Sequence, residues 1–236
     1  MPNPAPEPDT KPARRSAASA KSEQRIKDIL RVSTAVFAEK GYERATTTEI
    51  AQRLGISEAT VFTYFRGKRE LCVRVIGDWY DEIIAAMQAA LPPDEPVQRQ
   101  LAVFVHTHLR LFLIQGTGLC ALVLSEGRSR GQELGESFLP FQRRYTAPLM
   151  ALLARGQASG ELRQDLPLRL LRPMVLGPME HILWEAVGQP DKPVDITPTA
   201  RALSDMLWAA IAAPGRELAQ LRQLKAEVQG ALGRVA

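Results

Sequence analysis

The stretch TTTEIAQRLGISEATVFTYFRGK, residues 46–68, decides the fold. It predicts two short helices joined by a tight turn. Thr46 is placed to cap the first, and Glu49, three residues on, completes a capping box. Ile50, Ala51 and Leu54 share one face of that helix. Gly55 ends it, as a residue free to take positive φ should. Ser57 caps the second helix, residues 58–65. Val61, Phe62 and Phe65 are expected to point inward there, while Ala59, Thr60, Thr63 and Tyr64 share the other side. That outer side is small and hydrogen-bonding. It suits close approach to base edges, with Thr methyls against thymine methyls and hydroxyls toward base or phosphate. Lys68 follows, where a backbone phosphate would lie. Caps, turn glycine, apolar spacing and polar face agree on a helix-turn-helix rather than an ordinary helical hairpin.

Around this core, residues 29–71 resemble the DNA-binding domain of the TetR family of bacterial regulators. The residues that carry the resemblance are Phe37, Gly41-Tyr42, Thr46, Ile50-Ala51, Gly55-Ile56-Ser57, Thr60-Val61-Phe62, Tyr64-Phe65, Lys68 and Leu71. Two positions depart from the pattern. Phe62 stands where the family usually has a Tyr that bonds a phosphate, and Ser33 where the first helix usually has a buried Ala. The resemblance implies that Ala59, Thr60 and Thr63 touch base edges. It implies that Thr47, Tyr64 and Lys68 hold phosphates and that Thr48 reaches a base. Thr46 and Ser57, at the caps, complete the DNA-facing set.

Composition agrees. Of 236 residues, 45% are hydrophobic and only 6% aromatic, without sustained strand-like alternation, so an all-α fold is expected. The net charge of +4 is uneven: residues 1–71 hold 13 Lys/Arg against 9 Asp/Glu, and the remainder is balanced. The whole surplus therefore accompanies the helix-turn-helix, as phosphate binding favours. No 18-residue apolar run or signal core is present, and Cys72 and Cys120 form no metal or disulfide pattern. A cytoplasmic location is expected.

Four segments follow from the chain. Residues 1–21, rich in Pro, Ala and Ser, read as a disordered tail, or as a basic arm in which Arg14, Arg15 and Lys21 enter a minor groove. Residues 22–67 are the DNA-binding domain, with a first helix over 22–40 that Gly41 stops. Residues 68–213 form a helical effector-binding and dimerisation domain. Its helices are expected over 68–91, 96–115, 119–126, 138–157 (holding Pro148), 166–187 and 199–213. Residues 214–236 are expected to add one amphipathic helix, stepping through Leu218, Leu221, Leu224, Val228 and Leu232.

A homodimer is expected, because one helix-turn-helix reads too few base pairs and a two-fold pair reads a palindrome. Candidate effector-binding residues are Trp79, Phe104, His108, Leu111, Phe112, Tyr145, Met150, Met179 and Trp184. That set is mostly apolar, which fits a small hydrophobic effector. The segments LVLSEGR, ARGQASGELRQDL and MEHILW resemble, loosely, family members that sense fatty acyl-CoA, with Arg128, Arg143 and Arg144 as phosphate partners. No cofactor, metal cluster, catalytic signature or membrane partner is expected. Cys72, beside Lys68, Arg69 and Arg74, is either a thiol switch or a small buried hydrophobe. The expected function is a repressor released from a palindromic operator by a small molecule. The alternative is an architectural DNA-binding factor answering to a protein partner.

Overall fold

The computed structural model describes residues 11–115, 117–127, 133–189 and 191–215, with four further residues at 220, 221, 224 and 225. Among them the secondary structure is all helical: α1 (Lys11–Arg44), α2 (Thr47–Leu54), α3 (Glu58–Tyr64), α4 (Lys68–Ala90), α5 (Val97–Arg110), a π turn (Leu111–Gln115), α6 (Thr117–Gly127), α7 (Glu133–Ala158), α8 (Leu168–Gly188) and α9 (Ile196–Ile211).

Helix α1 begins inside the stretch expected to be a tail. Ala13, Ala17, Ala18 and Ala20 are strong helix formers, and extending an existing helix avoids the cost of nucleation. Ser19, Ala20 and Lys21 in this part of the helix are exposed. Gly41 breaks the helix as expected, with φ 70° and ψ −176°. Ile29, Val36 and Phe37 anchor α1 in the core. Ser33 is equally buried, and its hydroxyl donates to the Ile29 carbonyl at 2.6 Å, so the polar atom is satisfied within its own helix.

Helix α4 runs from the N-terminal helical domain into the larger one and ends at Ala90, with Leu91 as its C-cap before Pro92 and Pro93. Its buried face, including Leu71, Val75, Trp79, Ile83 and Met87, packs against α5 and α7. Helix α9 starts three residues earlier than expected. Pro198 lies inside its first turn, where the missing N–H would have had no intrahelical partner. Helix α7 likewise starts at Glu133 rather than 138. The expected C-terminal helix falls largely outside the described residues. Leu221 and Leu224, which are described, are exposed and do not pack into the core.

One contact joins the two domains closely. Helix α6 packs on α1, and Gly118 meets Ala38 there. A Cβ at Gly118 would lie 2.6 Å from the Ala38 Cβ and 2.7 Å from its carbonyl oxygen, so only glycine fits.

Candidate nucleic-acid interface and effector cavity

The two caps form as the sequence predicts. Thr46 Oγ1 accepts from the Glu49 backbone N–H at 3.2 Å, and Ser57 Oγ accepts from the Thr60 N–H at 3.2 Å. The capping box is only half made, however. The Glu49 carboxylate turns to Lys40 (2.6 Å) and Arg53 (2.8 Å), and Arg53 also grips Glu39 at 3.0 and 2.7 Å. Two cations within reach outcompete one backbone N–H. Hydrogen bonds from Arg53 and Lys40 hold Glu39 and Glu49 respectively below the usual carboxylate range. This network locks α2 against α1.

On α3, Ala59 and Thr63 are exposed and Thr60 and Tyr64 half-buried; Thr48 on α2 is exposed as well. Several hydroxyls already have partners. Thr47 donates to Glu58 Oε1 at 2.5 Å, Thr63 to the Ala59 carbonyl at 3.1 Å, and Thr60 Oγ1 lies 2.8 Å from Ser57 Oγ. Each keeps an acceptor lone pair, and the methyls remain available. Phe62 corrects an expectation: it does not point inward but is 49% exposed. Val61 and Phe65 take the inner face, and a residue 100° past Val61 turns outward beside Ala59 and Thr63. The outer side is thus more apolar than the sequence suggested.

Lys68 also does more than expected. Its Nζ donates to the Tyr42 carbonyl (2.9 Å) and the Glu43 carbonyl (3.2 Å), and it lies 4.4 Å from the centre of the Tyr42 ring. The ammonium clamps the end of α1 to the start of α4. One N–H and the full charge stay available to a phosphate. A separation of 26 residues leaves no local signal for this clamp.

The second site is a cavity of about 180 Å³ walled by α4 through α8. Its buried wall is aromatic. The His108 ring is stacked between Phe104 and Phe112, with centroids 6.1 and 4.5 Å away, and Tyr145 and Tyr80 close the cluster. His108 Nδ1 and the Tyr145 hydroxyl are 2.9 Å apart. Both side chains are buried. Burial pushes His108 down to about 3, so the imidazole is neutral, and burial likewise raises Tyr145 well above its ordinary value. His108 Nε2 has no hydrogen-bond partner among the described residues. Gln142, Arg172 and Glu180 stand at the more open rim.

Three of the nine candidate effector residues, His108, Phe112 and Tyr145, line this cavity. Trp79 and Phe104 stand behind the wall: Trp79 packs edge-on to Tyr80 and Phe112, both at 5.2 Å. Leu111, Met150, Met179 and Trp184 are not among its walls; Leu111 and Met179 are wholly buried. Tyr80, Thr146, Arg172 and Leu176 do line it and were missed. Periodicity would have marked Leu176 as core, but it carries no signal for Arg172 at a rim. Of the arginines suggested for phosphate, Arg144 is paired with Asp81 at 2.8 Å, Arg143 is exposed, and Arg128 lies outside the described residues. Cys72 is fully buried, which suits a small hydrophobe rather than an accessible thiol.

The family description "Bacterial regulatory proteins, tetR family" matches residues 29–75, and "YsiA-like protein, C-terminal region" matches residues 77–209. The chain belongs to the TetR family. It is therefore a DNA-binding transcription regulator with a helix-turn-helix. It is similar to the fatty acid metabolism regulator protein of Bacillus subtilis (strain 168), at 24% identity over 78% of this chain and 93% of that one. It is also similar to the transcriptional regulator SrpR of Pseudomonas putida, at 24% identity over 90% of this chain and 98% of that one. In fold it is similar to the transcriptional regulator FadR of Bacillus subtilis, solved in complex with stearoyl-CoA. The TM-score is 0.68 and the identity 23%, over 76% of this chain and 96% of that one. The first of these relatives is a regulator of fatty acid metabolism and the second a helix-turn-helix transcriptional regulator. No single helix among the described residues is long and apolar enough to cross a membrane.

Proposed function

We propose that the protein is a homodimeric repressor, acting on the chromosome in the cytoplasm, whose grip on a palindromic operator is weakened by a small, largely apolar effector. The observation that carries this reading is one continuous path between two sites. Val123 and Leu124 of α6 line the cavity, and Gly118, at the other end of α6, rests on the backbone of α1 at Ala38. An effector that wedges α6 displaces α1 and, through the Glu39–Arg53–Glu49 network, the helix-turn-helix. The effector must prefer that displaced arrangement, since equal affinity for both shifts nothing.

On the DNA side, Ala59, Thr60 and Thr63 read bases with Thr48. Thr47, Tyr64 and Lys68 hold phosphates, and the caps Thr46 and Ser57 fix the approach. The regulator of fatty acid metabolism and the stearoyl-CoA complex among the relatives support an acyl thioester as effector class. Its phosphates would meet the exposed Arg143 and Arg172, since Arg144 is engaged by Asp81. A partner-controlled architectural factor is the weaker reading: it gives no role to the cavity between α4 and α8.

The test is direct. An operator is selected from random duplexes with the full chain, and its affinity is measured with and without acyl-CoA. Substituting Thr60 and Thr63 with Ala together should weaken operator binding at least tenfold. Retention of full affinity by that variant would reject the assigned face, and binding that no acyl-CoA ever weakens would reject the effector reading.

A further inference from the structure

Helix α3 carries an apolar patch on its outer side. Ala59, Phe62 and Thr63 stand at i, i+3 and i+4, so their side chains share one face. All three are exposed. Phe62 is the one large hydrophobic side chain left exposed among the described residues of α1 to α4. The hydroxyls around it are engaged. Thr63 gives its one proton to the Ala59 carbonyl at 3.1 Å, and Thr60 Oγ1 is paired with Ser57 Oγ at 2.8 Å. Thr63 is left with a methyl and an acceptor lone pair to offer. The helix, EATVFTY, holds no Lys, Arg, Asn or Gln, the side chains that read guanine or adenine by paired hydrogen bonds. Its one charged group, Glu58, already accepts from Thr47.

Such a surface has one good counterpart on a base edge. The C5 methyl of thymine is the apolar group of the major groove, and alanine, the threonine methyl and phenylalanine are the side chains that pack on it. The sugar-phosphate backbone is a poorer match, since a phenyl ring neutralises no phosphate.

We propose that α3 selects its half-site by thymine methyl groups, with Phe62 as the main specificity-determining contact and Ala59 and Thr63 beside it. This rests on α3 as the base-reading face and narrows it: the preference is for a methyl rather than for a hydrogen-bonding pattern. Val61 and Phe65 already fill the inner face, and closing on DNA takes the exposed part of the Phe62 ring out of water.

The test uses the full chain and an operator selected from random duplexes. Each thymine is replaced in turn, in both half-sites, by deoxyuridine, which keeps every hydrogen-bonding group and removes only the methyl. At one or more positions the unaltered chain should bind about fourfold less tightly per half-site, the value of one apolar carbon removed from water. The same replacement should make no difference to Phe62→Ala, and part of the difference should return in Phe62→Leu. The unfolding midpoint of each variant verifies that it is folded. Affinity should fall with salt at the same slope in all three chains, because Phe62 neutralises no phosphate. Uracil tolerated at every position would overturn the proposal. The base-reading face would still stand if the Thr60 and Thr63 double variant lost affinity, and would fall as well if that variant bound as tightly as the unaltered chain. A loss in Phe62→Ala that is equal for thymine and uracil duplexes, or a shallower salt slope, would place the ring on the backbone and overturn the proposal too.

Discussion

At the residue scale, His108 and Tyr145 are the test of whether a polar pair inside an apolar wall is structural. Tyr145→Phe strands Nδ1 and His108→Phe strands the phenol. Each single change should cost about 1–3 kcal/mol in denaturant unfolding, and the double change less than the sum. The pH dependence has a definite sign. Folded His108 sits at about 3 against an ordinary 6.5, so between those values the unfolded chain takes up a proton that the folded chain refuses. The stability held by neutral His108 is complete above about pH 6.5 and declines as pH falls toward 3, by at most about 1.4 kcal/mol per unit. From pH 7 to pH 5 the unaltered protein should lose up to about 2 kcal/mol more than H108F/Y145F, at fixed protein concentration. Equal losses would mean that His108 is not held neutral. Lys68 carries a different expectation. Because it clamps the Tyr42 and Glu43 carbonyls, Lys68→Met should lower stability as well as operator affinity, whereas a pure phosphate contact would lower affinity alone.

At the element scale, α6 is the proposed lever between cavity and DNA. The π turn beside it follows directly on the His108 stack, and such turns recur at functional sites. Gly118→Ala sets a methyl against the Ala38 backbone and should destabilise the fold by about 1–3 kcal/mol. It should also separate effector binding from operator release: calorimetry would show the effector still bound, while the operator affinity no longer responds to it. An operator response as large as that of the unaltered chain would remove α6 from the path. Helix α3 depends on its cap, and Ser57→Ala should cost about 1 kcal/mol, read as a lower unfolding midpoint.

At the scale of the molecule, the proposed two-fold pairing is assigned to exposed faces of α8 and α9. Helix α9 buries Leu203, Leu207 and Ile211 and exposes Ala202, Met206, Ala209 and Ala210, with Met206 53% exposed. Exposed Leu170 and Gly177 on α8 present a similar mixture of apolar and small residues. Small residues of this kind let helices approach closely. Met206→Arg should yield a monomer by sedimentation and abolish operator binding while leaving helix content unchanged. A dimer unaffected by that charge would place the interface elsewhere.

The local features were legible from the sequence. Thr46, Ser57, Gly41 and Gly55 act on neighbours within a few residues, so caps and breaks follow from residue type alone. The apolar stripes gave the all-helical class for the same reason. Periodicity failed where a short helix left its rotation ambiguous, and Phe62 was assigned to the wrong face. What only the tertiary structure decided are the meetings of distant residues: Lys68 with Tyr42, Gly118 with Ala38, and His108 with Tyr145, 37 positions apart. A helical stripe states which side is apolar but not which partner it meets. A cavity wall and a packed core therefore look alike in sequence until the helices are set against one another.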